Sequence, residues 1–320
     1  MSASAAPADA AAILQRFEAQ LDPVQPTAGA NGVAIVGYGE VSTVISLTAL
    51  PGWVCKRMAG FGDAAAVERY LAVVERYIGL LETLGLRVAA TVPVPVHTPA
   101  SGHVVYLLQP RLDPGGLGNH LLRTADDAVL LAAVDQVLAH VHTVLLANRV
   151  PRDGRTVTVD AQLSNWHFPI RDGTVGAPTL IDVGTPFMRR NGVDEIDIAL
   201  FLAPVPAFMR PLYRRARLVE SYIDDYFHAP KLLADLLGNF HKEGRPDRID
   251  AVVAHVNRWL AGPGADLDAR PITRERVDRY YRKDAQLLEL FLKVRRLDRF
   301  VRTRLLRQRY NFILPGPIRR

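Results

Sequence analysis

Cysteine is nearly absent from the chain, since Cys55 is the single example among 320 residues. One cysteine cannot form a disulfide within the chain, and it cannot build a zinc site that needs several thiolates. The nine histidines are scattered and show no H-E-x-x-H or comparable metal-ligand spacing. These absences exclude a disulfide-rich secreted scaffold and a cysteine-based zinc module.

Long hydrophobic runs are also missing. No stretch of about eighteen or more apolar residues occurs. The N-terminal residues MSASAAPADAAA lack the basic and apolar segments of a signal peptide. The sequence therefore disfavours a transmembrane helix, and we expect a cytoplasmic location. Hydrophobic residues make up 49% of the chain and charged residues 22%, which is typical of a globular protein with a substantial core.

Acidic residues are scarce in the last fifty residues. Residues 271–320 contain 15 Lys and Arg but 5 Asp and Glu, so the net charge of +6 comes from this segment and the rest is net negative. We expect a helix over Thr273–Tyr310 that packs on the protein through its leucines. Its arginines then form a solvated basic face, or alternatively contact a membrane surface or an anionic substrate. Nucleic acid is disfavoured because few aromatic side chains accompany the arginines. The apolar residues 311–318 are expected to dock back onto the protein.

Strand patterns dominate the first third of the chain, after an Ala/Ser/Pro-rich start and a short amphipathic helix near Ala11–Leu21. The predicted strands are Gly32–Val36, Val41–Leu47, Trp53–Met58, Val88–Val96 and Val104–Leu108. A long helix from Asp63 to Leu84 lies between the third and fourth strands. From Leu121 onwards helical periodicity dominates, interrupted by two short apolar strands, Val157–Val159 and Thr179–Val183.

Two motifs in the strand-rich part favour phosphate binding. Gly37 and Gly39, in the turn Gly37-Tyr38-Gly39-Glu40, allow backbone N–H groups to approach phosphate oxygens closely. Lys56 shares one strand face with Val54, and a lysine on an inner face needs an anionic partner because burying an unpaired ammonium is costly. An ordinary hairpin and a solvated lysine are the alternatives when each motif is taken alone.

Two further motifs follow the short strands of the helical part. Asp160 and Asn165 form a D-x-x-x-x-N sequence, and Asp182 ends the next strand as Asp-x-Gly. In phosphoryl transfer one carboxylate positions the attacking hydroxyl, while an amide and a second carboxylate hold Mg²⁺ on the phosphates. The order of all four motifs favours this chemistry over chance.

This order of motifs resembles that of the protein-kinase-like superfamily, and especially its aminoglycoside/choline-type phosphotransferases. It is also similar to an atypical bacterial family related to these, with a basic C-terminal helix. The resemblance covers roughly residues 30–260 and implies an α+β, two-lobed, protein-kinase-like fold. The implied parts are a disordered or short helical extension (1–30), a small β-rich N-lobe (31–110), a mainly helical C-lobe (111–265) and a basic helical extension (266–320).

The resemblance also implies roles for individual residues. Asp160 corresponds to the catalytic aspartate, and Asn165 and Asp182 correspond to the Mg²⁺ ligands. Contacts with ATP are implied for Gly37, Gly39, Ser42, Thr43, Lys56, Glu75 and Gln109. Within this set, Glu75 is the expected carboxylate partner of Lys56, with Glu68 as the alternative. Gln109 belongs to the segment Tyr106–Pro110, which resembles the inter-lobe hinge beside the adenine.

Some positions depart from the kinase pattern. Thr158 stands where histidine usually precedes the aspartate, Gln162 stands where a lysine usually follows it, and the A-P-E motif is missing. These departures argue against a protein substrate. The first hypothesis is therefore an Mg²⁺-dependent transfer of the ATP γ-phosphoryl group to a hydroxyl of a small acceptor, with an anionic acceptor as one alternative. The alternatives are a catalytically silent nucleotide-binding module and a nucleotidyl transferase.

Overall fold

The structure is a computed structural model that describes residues 6–28, 32–39 and 41–316. Its N-terminal region is β-rich and its C-terminal region is mainly helical, so the architecture is mixed α+β. Part of the expected disordered start (1–5) and the turn residue Glu40 lie outside the described residues. So do residues 29–31 and the last four residues of the apolar end, 317–320.

The N-terminal region begins with helix α1 (Ala10–Gln20), close to its predicted position. The next elements are β1 (Val33–Tyr38), β2 (Ser42–Leu47), β3 (Trp53–Phe61), α2 (Ala64–Thr83), β4 (Arg87–Val88), β5 (Val92–Thr98) and β6 (Gly102–Pro110). Helix α2 starts where predicted because Asp63 Oδ1 accepts a hydrogen bond of 2.7 Å from the N–H of Ala66. It ends before Gly85, whose φ of +85° is left-handed.

Five of these strands form one antiparallel sheet in the order β1-β2-β3-β6-β5. The strand predicted over Val88–Val96 is divided in two, because β4 leaves this sheet and pairs with a strand of the helical region. Strand alternation turns Val54 and Lys56 to one face of β3, and Cys55 and Arg57 to the other. We refer to these as the inner and outer faces of the sheet.

The C-terminal region combines helices with short strands. Its helices are α3 (Gly118–Thr124), α4 (Asp127–Ala147), α5 (Ile198–Leu202), α6 (Arg210–Arg215), α7 (Leu218–Asp225), α8 (Ala229–Lys242), α9 (Ile249–Leu260) and α10 (Arg274–Phe300). Between α4 and α5 lie β7 (Arg155–Val157), β8 (Trp166–His167), β9 (Ile170–Arg171), β10 (Thr174–Val175), β11 (Thr179–Leu180), β12 (Met188–Arg190) and β13 (Val193–Asp194). The strand β4 pairs with β11, which ends two residues before Asp182.

Helix α4 is the one described helix that is long and apolar enough to cross a membrane, judged by length and composition. In the structure it lies in the core and buries residues such as Val134, Leu138 and Val141. A helix that is apolar around most of its surface is typical of a protein interior as well as of a bilayer. Its position in the core therefore accounts for its composition.

The two faces of the sheet are covered by different partners. On the inner face, Met58 and Leu107 join α2 and the helical region in one continuous core. On the outer face, α1 packs together with the segment Tyr310–Leu314. The prediction that the apolar end of the chain docks onto the protein is therefore confirmed over its described residues.

The predicted helix over Thr273–Tyr310 is too long. Helix α10 ends at Phe300, a π-helical turn covers Val301–Leu305, and Arg307 adopts a left-handed φ of +50°. This change of direction allows Tyr310 and Phe312 to reach the outer face of the sheet, where they are buried. Burial of these aromatic side chains outweighs the helical tendency of the preceding sequence.

A buried ion pair joins the layers of the outer face. Glu18 of α1 accepts two hydrogen bonds, of 2.8 and 2.7 Å, from the guanidinium of Arg57. Tyr106 of β6 donates a third hydrogen bond to Glu18, and Arg57 donates to the backbone carbonyl of Asn311. The pair therefore links α1, two central strands and the C-terminal segment through charge-assisted hydrogen bonds.

Candidate active site

A cleft of about 910 Å³ runs between the inner face of the sheet and the helical region. Most residues that the sequence singles out line this cleft. They are Gly37, Gly39, Ser42, Lys56, Gln109, Asp160, Asn165 and Asp182. The motifs come from strand ends and loops that are distant in sequence, and the fold brings them to one concave surface. Such a surface with convergent polar groups is where a ligand is expected.

Lys56 and Asp182 form an ion pair inside the cleft. Strand alternation brings Lys56 to the inner face, and Asp182 follows the end of β11 directly opposite. Burial alone would raise the pKa of Asp182, but the Lys56 ammonium and the N–H of Gly184 hold that pKa below its ordinary value. The carboxylate is therefore ionised at neutral pH, and it is the anionic partner that the position of Lys56 requires.

The prediction that Glu75 or Glu68 pairs with Lys56 is wrong. Both glutamates lie on the exposed side of α2. The side of α2 that faces the site carries Tyr70 and Tyr77 instead. Tyr70 donates a hydrogen bond of 2.9 Å to the carbonyl of Gly184, and Tyr77 donates one of 2.9 Å to the carbonyl of Thr158. Two neutral hydrogen bonds thus connect α2 to the loops that carry Asp182 and Asp160.

The side chain of Thr43 does not face the cleft, so it is not placed to contact a nucleotide bound there. Along β2, alternation turns Ser42 and Val44 towards the cleft and buries Thr43 on the outer face. There Thr43 lies near Arg57 and Phe312. At the turn before β2, Gly39 donates a backbone hydrogen bond of 3.0 Å to the carbonyl of Ser42. A Cβ atom at Gly39 would lie 2.5 Å from the Ser42 hydroxyl, so a larger residue at this position would require the Ser42 side chain to move.

The segment predicted as the hinge is part of strand β6. Pairing with β5 ends at Leu108, whereas pairing with β3 continues to Pro110. The connection to the helical region therefore begins later, near Arg111, which also lines the cleft. The side-chain amide of Gln109 donates hydrogen bonds to the carbonyl of Ile181 (2.8 Å) and to the Thr91 hydroxyl (2.9 Å). Gln109 thus lines the cleft and also fixes the strand that presents Asp182.

Asp160 and Asn165 lie on a loop that is braced from several directions. The carboxylate of Asp160 accepts a hydrogen bond of 3.0 Å from the N–H of Gln162. Asn165 ends a short 3₁₀ turn, and its carbonyl accepts a hydrogen bond of 2.9 Å from the N–H of Ile181. At the position where kinases carry histidine, the hydroxyl of Thr158 is buried and donates to the carbonyl of Tyr226 at 2.6 Å. The loop is therefore held in place without that histidine.

Residues 24–299 match the family described as "Family of unknown function (DUF6206)". The chain belongs to this family. No curated protein matches the sequence. A solved structure described as "WaaP in complex with acyl carrier protein" is similar over 77% of this chain and 88% of that chain, with 12% sequence identity and a TM-score of 0.30.

In this member of the DUF6206 family, a polar cluster that the sequence analysis missed surrounds Asp160. Helix α8 contributes Asp235, which is buried and accepts a hydrogen bond of 2.8 Å from the side-chain amide of Gln162. Lys242, two turns later, lies 3.3 Å from the Gln162 side-chain oxygen and 3.5 Å from Asp235. Asp284 of α10 lies 3.3 Å from the same lysine. A cation from α8 thus stands beside Gln162, where the kinase pattern has a lysine.

The cluster changes the proton affinity of the central carboxylate. Burial and the nearby charge of Asp235 raise the pKa of Asp160 to about 8, although the N–H of Gln162 and the Lys242 ammonium act in the opposite direction. A carboxylate with a pKa close to neutrality can both accept and release a proton at physiological pH. The cleft therefore holds a firmly ionised Asp182 and an Asp160 that titrates near neutrality.

Proposed function

We propose that the protein transfers the γ-phosphoryl group of ATP to a hydroxyl of a small, non-protein acceptor. In this proposal the β-rich and helical regions are the two lobes of a protein-kinase-like fold. The observation that carries the proposal is the Lys56–Asp182 ion pair inside the cleft, together with Asp160 and Asn165 on the facing loop. Phosphoryl transfer needs a cation for the phosphates, oxygen ligands for a metal ion and a carboxylate base. Lys56 supplies the first, Asn165 and Asp182 the second, and Asp160 the third.

Chemical complementarity supports ATP and Mg²⁺ as ligands. The Lys56 ammonium and the Asp182 carboxylate compensate each other's charge in the structure, and a phosphate and a divalent cation are opposite-charge partners for them. Asn165 and Asp182 would hold Mg²⁺ with their oxygens, which are the hard ligands that this ion prefers. When bound, Mg²⁺ would neutralise the charge of the phosphates. The backbone of the turn near Gly39 would approach the phosphates closely because it carries no Cβ atom there.

Asp160 is the group that handles the acceptor's proton. As the acceptor oxygen bonds to the γ-phosphorus, its O–H bond breaks and the proton moves to the Asp160 carboxylate. The bond between the γ-phosphorus and the oxygen that bridges to the β-phosphate breaks, and ADP leaves with that electron pair. The products are ADP, the phosphorylated acceptor and a protonated Asp160 that returns its proton to solvent.

Nucleotide titration tests the metal assignment. In isothermal titration calorimetry, we expect wild-type protein to bind ATP more tightly with Mg²⁺ than with a chelator present. Replacing Asp182 with asparagine should weaken Mg²⁺-dependent binding by at least about tenfold, because an oxygen ligand loses its charge. Asp172→Asn, in the exposed hairpin between β9 and β10, is the matched control and should bind as wild type. Equal binding by all three proteins in both conditions would rule out Asp182 as a metal ligand.

Lys242 is expected to act on the reaction through Asp160. Because the Lys242 ammonium lowers the pKa of Asp160, Lys242→Met should raise that pKa and move the rise of kcat/KM with pH to higher pH. A rise of about one unit would lower kcat/KM roughly tenfold below the pKa. Lys242→Arg should restore the profile, whereas exposed Lys283→Met should not change it. A lower rate with an unmoved pH profile would show that Lys242 is purely structural.

A catalytically silent nucleotide-binding module is the second candidate. Two observations favour it: Lys56 pairs with neither Glu68 nor Glu75 among the described contacts, and Thr158 replaces the usual histidine. Incubation with γ-labelled ATP and a small-molecule extract separates the candidates. A labelled product other than phosphate supports the transferase, whereas Mg²⁺-dependent binding without any labelled product supports the silent module.

A further inference from the structure

Two basic segments from different parts of the chain lie side by side on the surface. Between Asp197 and Glu220 the chain contains four arginines and no acidic residue. Over residues 293–309 it contains eight Lys and Arg against one Asp. The segments are neighbours, because Arg210 donates a hydrogen bond of 3.0 Å to the carbonyl of Ala203, and Ala203 packs in the same apolar cluster as Tyr310 and Phe312. Partial burial and the nearby charge of Arg302 accordingly lower the pKa of the Arg210 guanidinium. Folding therefore concentrates positive charge that the sequence distributes over two distant stretches.

The same surface exposes large apolar side chains. Phe208 and Leu212 in the first segment are 73% and 62% exposed, and Phe300 and Leu305 in the second are 56% and 66% exposed. Exposed arginines alternate with them along both segments, including Arg214 and Arg304. We call this surface the basic apolar face: the exposed side chains of residues 208–218 and 297–307.

The packing of α10 explains neither the concentrated positive charge nor the exposed apolar side chains of this face. The helix uses Val277, Leu292 and Val294 to pack on the protein, and these side chains are buried. Isolated exposed apolar residues are ordinary on protein surfaces, but a group of them among like charges marks an interaction site. Clustered arginines also repel one another, so an anionic partner would relieve the repulsion.

We propose that the basic apolar face docks the protein on the surface of an anionic lipid bilayer. Charge complementarity selects an anionic partner, and the exposed leucine and phenylalanine side chains select one with an apolar interior just below its charged surface. An amphipathic surface of Leu, Phe and Arg has the composition that lies in the interface of such a membrane. Each basic residue near an anionic bilayer strengthens binding about fivefold. Docking is independent of the proposed phosphoryl transfer, and its test does not use enzymatic activity.

Vesicle co-sedimentation tests the proposal. The full chain is mixed with vesicles of phosphatidylcholine alone, or of equal parts phosphatidylcholine and phosphatidylglycerol, at low and high salt. We expect binding to the anionic vesicles at low salt, at least about tenfold weaker binding to neutral vesicles, and loss of most binding at high salt. Equal binding to both vesicle types, or no binding at low salt, would overturn the proposal.

Variants identify the surface. Arg214→Gln with Arg304→Gln, one from each segment, should weaken vesicle binding about 25-fold. Leu212→Ser with Leu305→Ser should weaken it without changing the salt dependence. The matched controls are Arg152→Gln with Arg171→Gln, and Val150→Ser with Val193→Ser, which are exposed positions elsewhere. Near-ultraviolet circular dichroism verifies that each variant is folded.

The same variants distinguish other partners. If the protein binds duplex DNA or an acidic protein with the same salt dependence, and the two serine replacements leave every interaction unchanged, the face is a polyanion site and the bilayer proposal is wrong. If the control pairs weaken vesicle binding as much as the face variants, net charge alone explains binding and the assignment to this face fails.

Discussion

Replacing Asp160 with asparagine is expected to lower kcat for phosphoryl transfer by about 10²–10⁴-fold, the range that a positioned general base contributes. The change removes the proton acceptor and keeps the size of the side chain. The affinity for ATP with Mg²⁺ should remain within about threefold, because this aspartate orients the acceptor and does not hold the nucleotide. The measurement is transfer of label from γ-labelled ATP into a small-molecule extract, alongside calorimetric titration of ATP.

The pH dependence gives this prediction a second readout. Because burial and Asp235 raise the pKa of Asp160 to about 8, kcat/KM of the wild type should rise with pH and level off above that value. The sign follows from the need for the deprotonated carboxylate as base. In Asp160→Asn the residual rate should lose this rise, whereas the control Asp172→Asn should keep it. Wild-type turnover by Asp160→Asn would exclude Asp160 as the base.

Replacing Glu18 with alanine should lower the free energy of unfolding by about 3–5 kcal/mol, the cost of leaving one member of a buried ion pair without its partner. Both side chains of the pair are almost completely buried, at 0% exposure for Glu18 and 3% for Arg57. Loss of the carboxylate would leave the guanidinium and the Tyr106 hydroxyl without their acceptor. Urea denaturation followed by tryptophan fluorescence measures the change.

Two comparisons show whether the ion pair causes this loss. Glu75→Gln removes a carboxylate from the exposed side of α2 and should change the stability by less than about 0.5 kcal/mol. The double variant Glu18→Leu with Arg57→Met should recover part of the loss, because a buried pair replaced by apolar side chains is often nearly neutral. Recovery should be incomplete, since Arg57 also donates a hydrogen bond to the carbonyl of Asn311. If the double variant is no more stable than Glu18→Ala, simple loss of packing explains the effect.

The ion pair also predicts an acid limit to stability. Burial alone would raise the pKa of Glu18, but the Arg57 guanidinium lowers it below the ordinary value of 4.5. A depressed folded-state pKa stabilises the protein fully above the unfolded pKa, and this contribution is lost as the pH falls through the folded-state pKa. In Glu18→Ala, the part of the acid-induced loss of stability that belongs to this carboxylate should be absent.

The sequence predicts the cleft residues well where the pattern is local. Asp160 and Asp182 follow the short strands β7 and β11 within three residues, and Asn165 ends the 3₁₀ turn that comes after Asp160. Lys56 was predicted to face inwards from strand alternation alone. The same rule, applied to β2, would have turned Thr43 away from the cleft. Thr43 was included because the adjacent residues of the kinase motif were transferred together, without checking which side chains along the strand face the cleft.

Glu75 shows the limit of a spacing argument. Its distance from Lys56 in sequence is typical of kinases, but the orientation of α2 is set by its apolar stripe. Val67, Tyr70, Val74 and Tyr77 recur at helical spacing and are buried, which leaves Glu75 on the exposed side. The hydrophobic pattern of α2 therefore predicts that Glu75 is exposed. Its sequence distance from Lys56 predicts an ion pair instead, and the structure agrees with the hydrophobic pattern.

The cluster around Asp160 lay beyond local patterns because α8 follows the loop by some seventy residues and only tertiary packing brings them together. One signal was present in α8. Asp235, Asn239 and Lys242 stand at i, i+4 and i+7 and form a polar stripe on a helix whose other buried residues are apolar. Such a stripe facing a core requires polar partners. It indicates that a polar surface must face α8, but it does not identify that surface as the Asp160 loop.

The position of Tyr310–Leu314 on the outer face of the sheet affects how the chain can fold during synthesis. The sheet itself is complete in sequence at Pro110, yet its outer layer is supplied by residues that the ribosome adds about two hundred residues later. Until then, apolar side chains such as Ile45 and Leu108 have α1 as a cover but lack Phe312 and its neighbours. Contacts of such long sequence separation form slowly and leave apolar surface exposed meanwhile. We therefore expect the N-terminal region of a nascent chain to be prone to aggregation until the C-terminal segment has emerged.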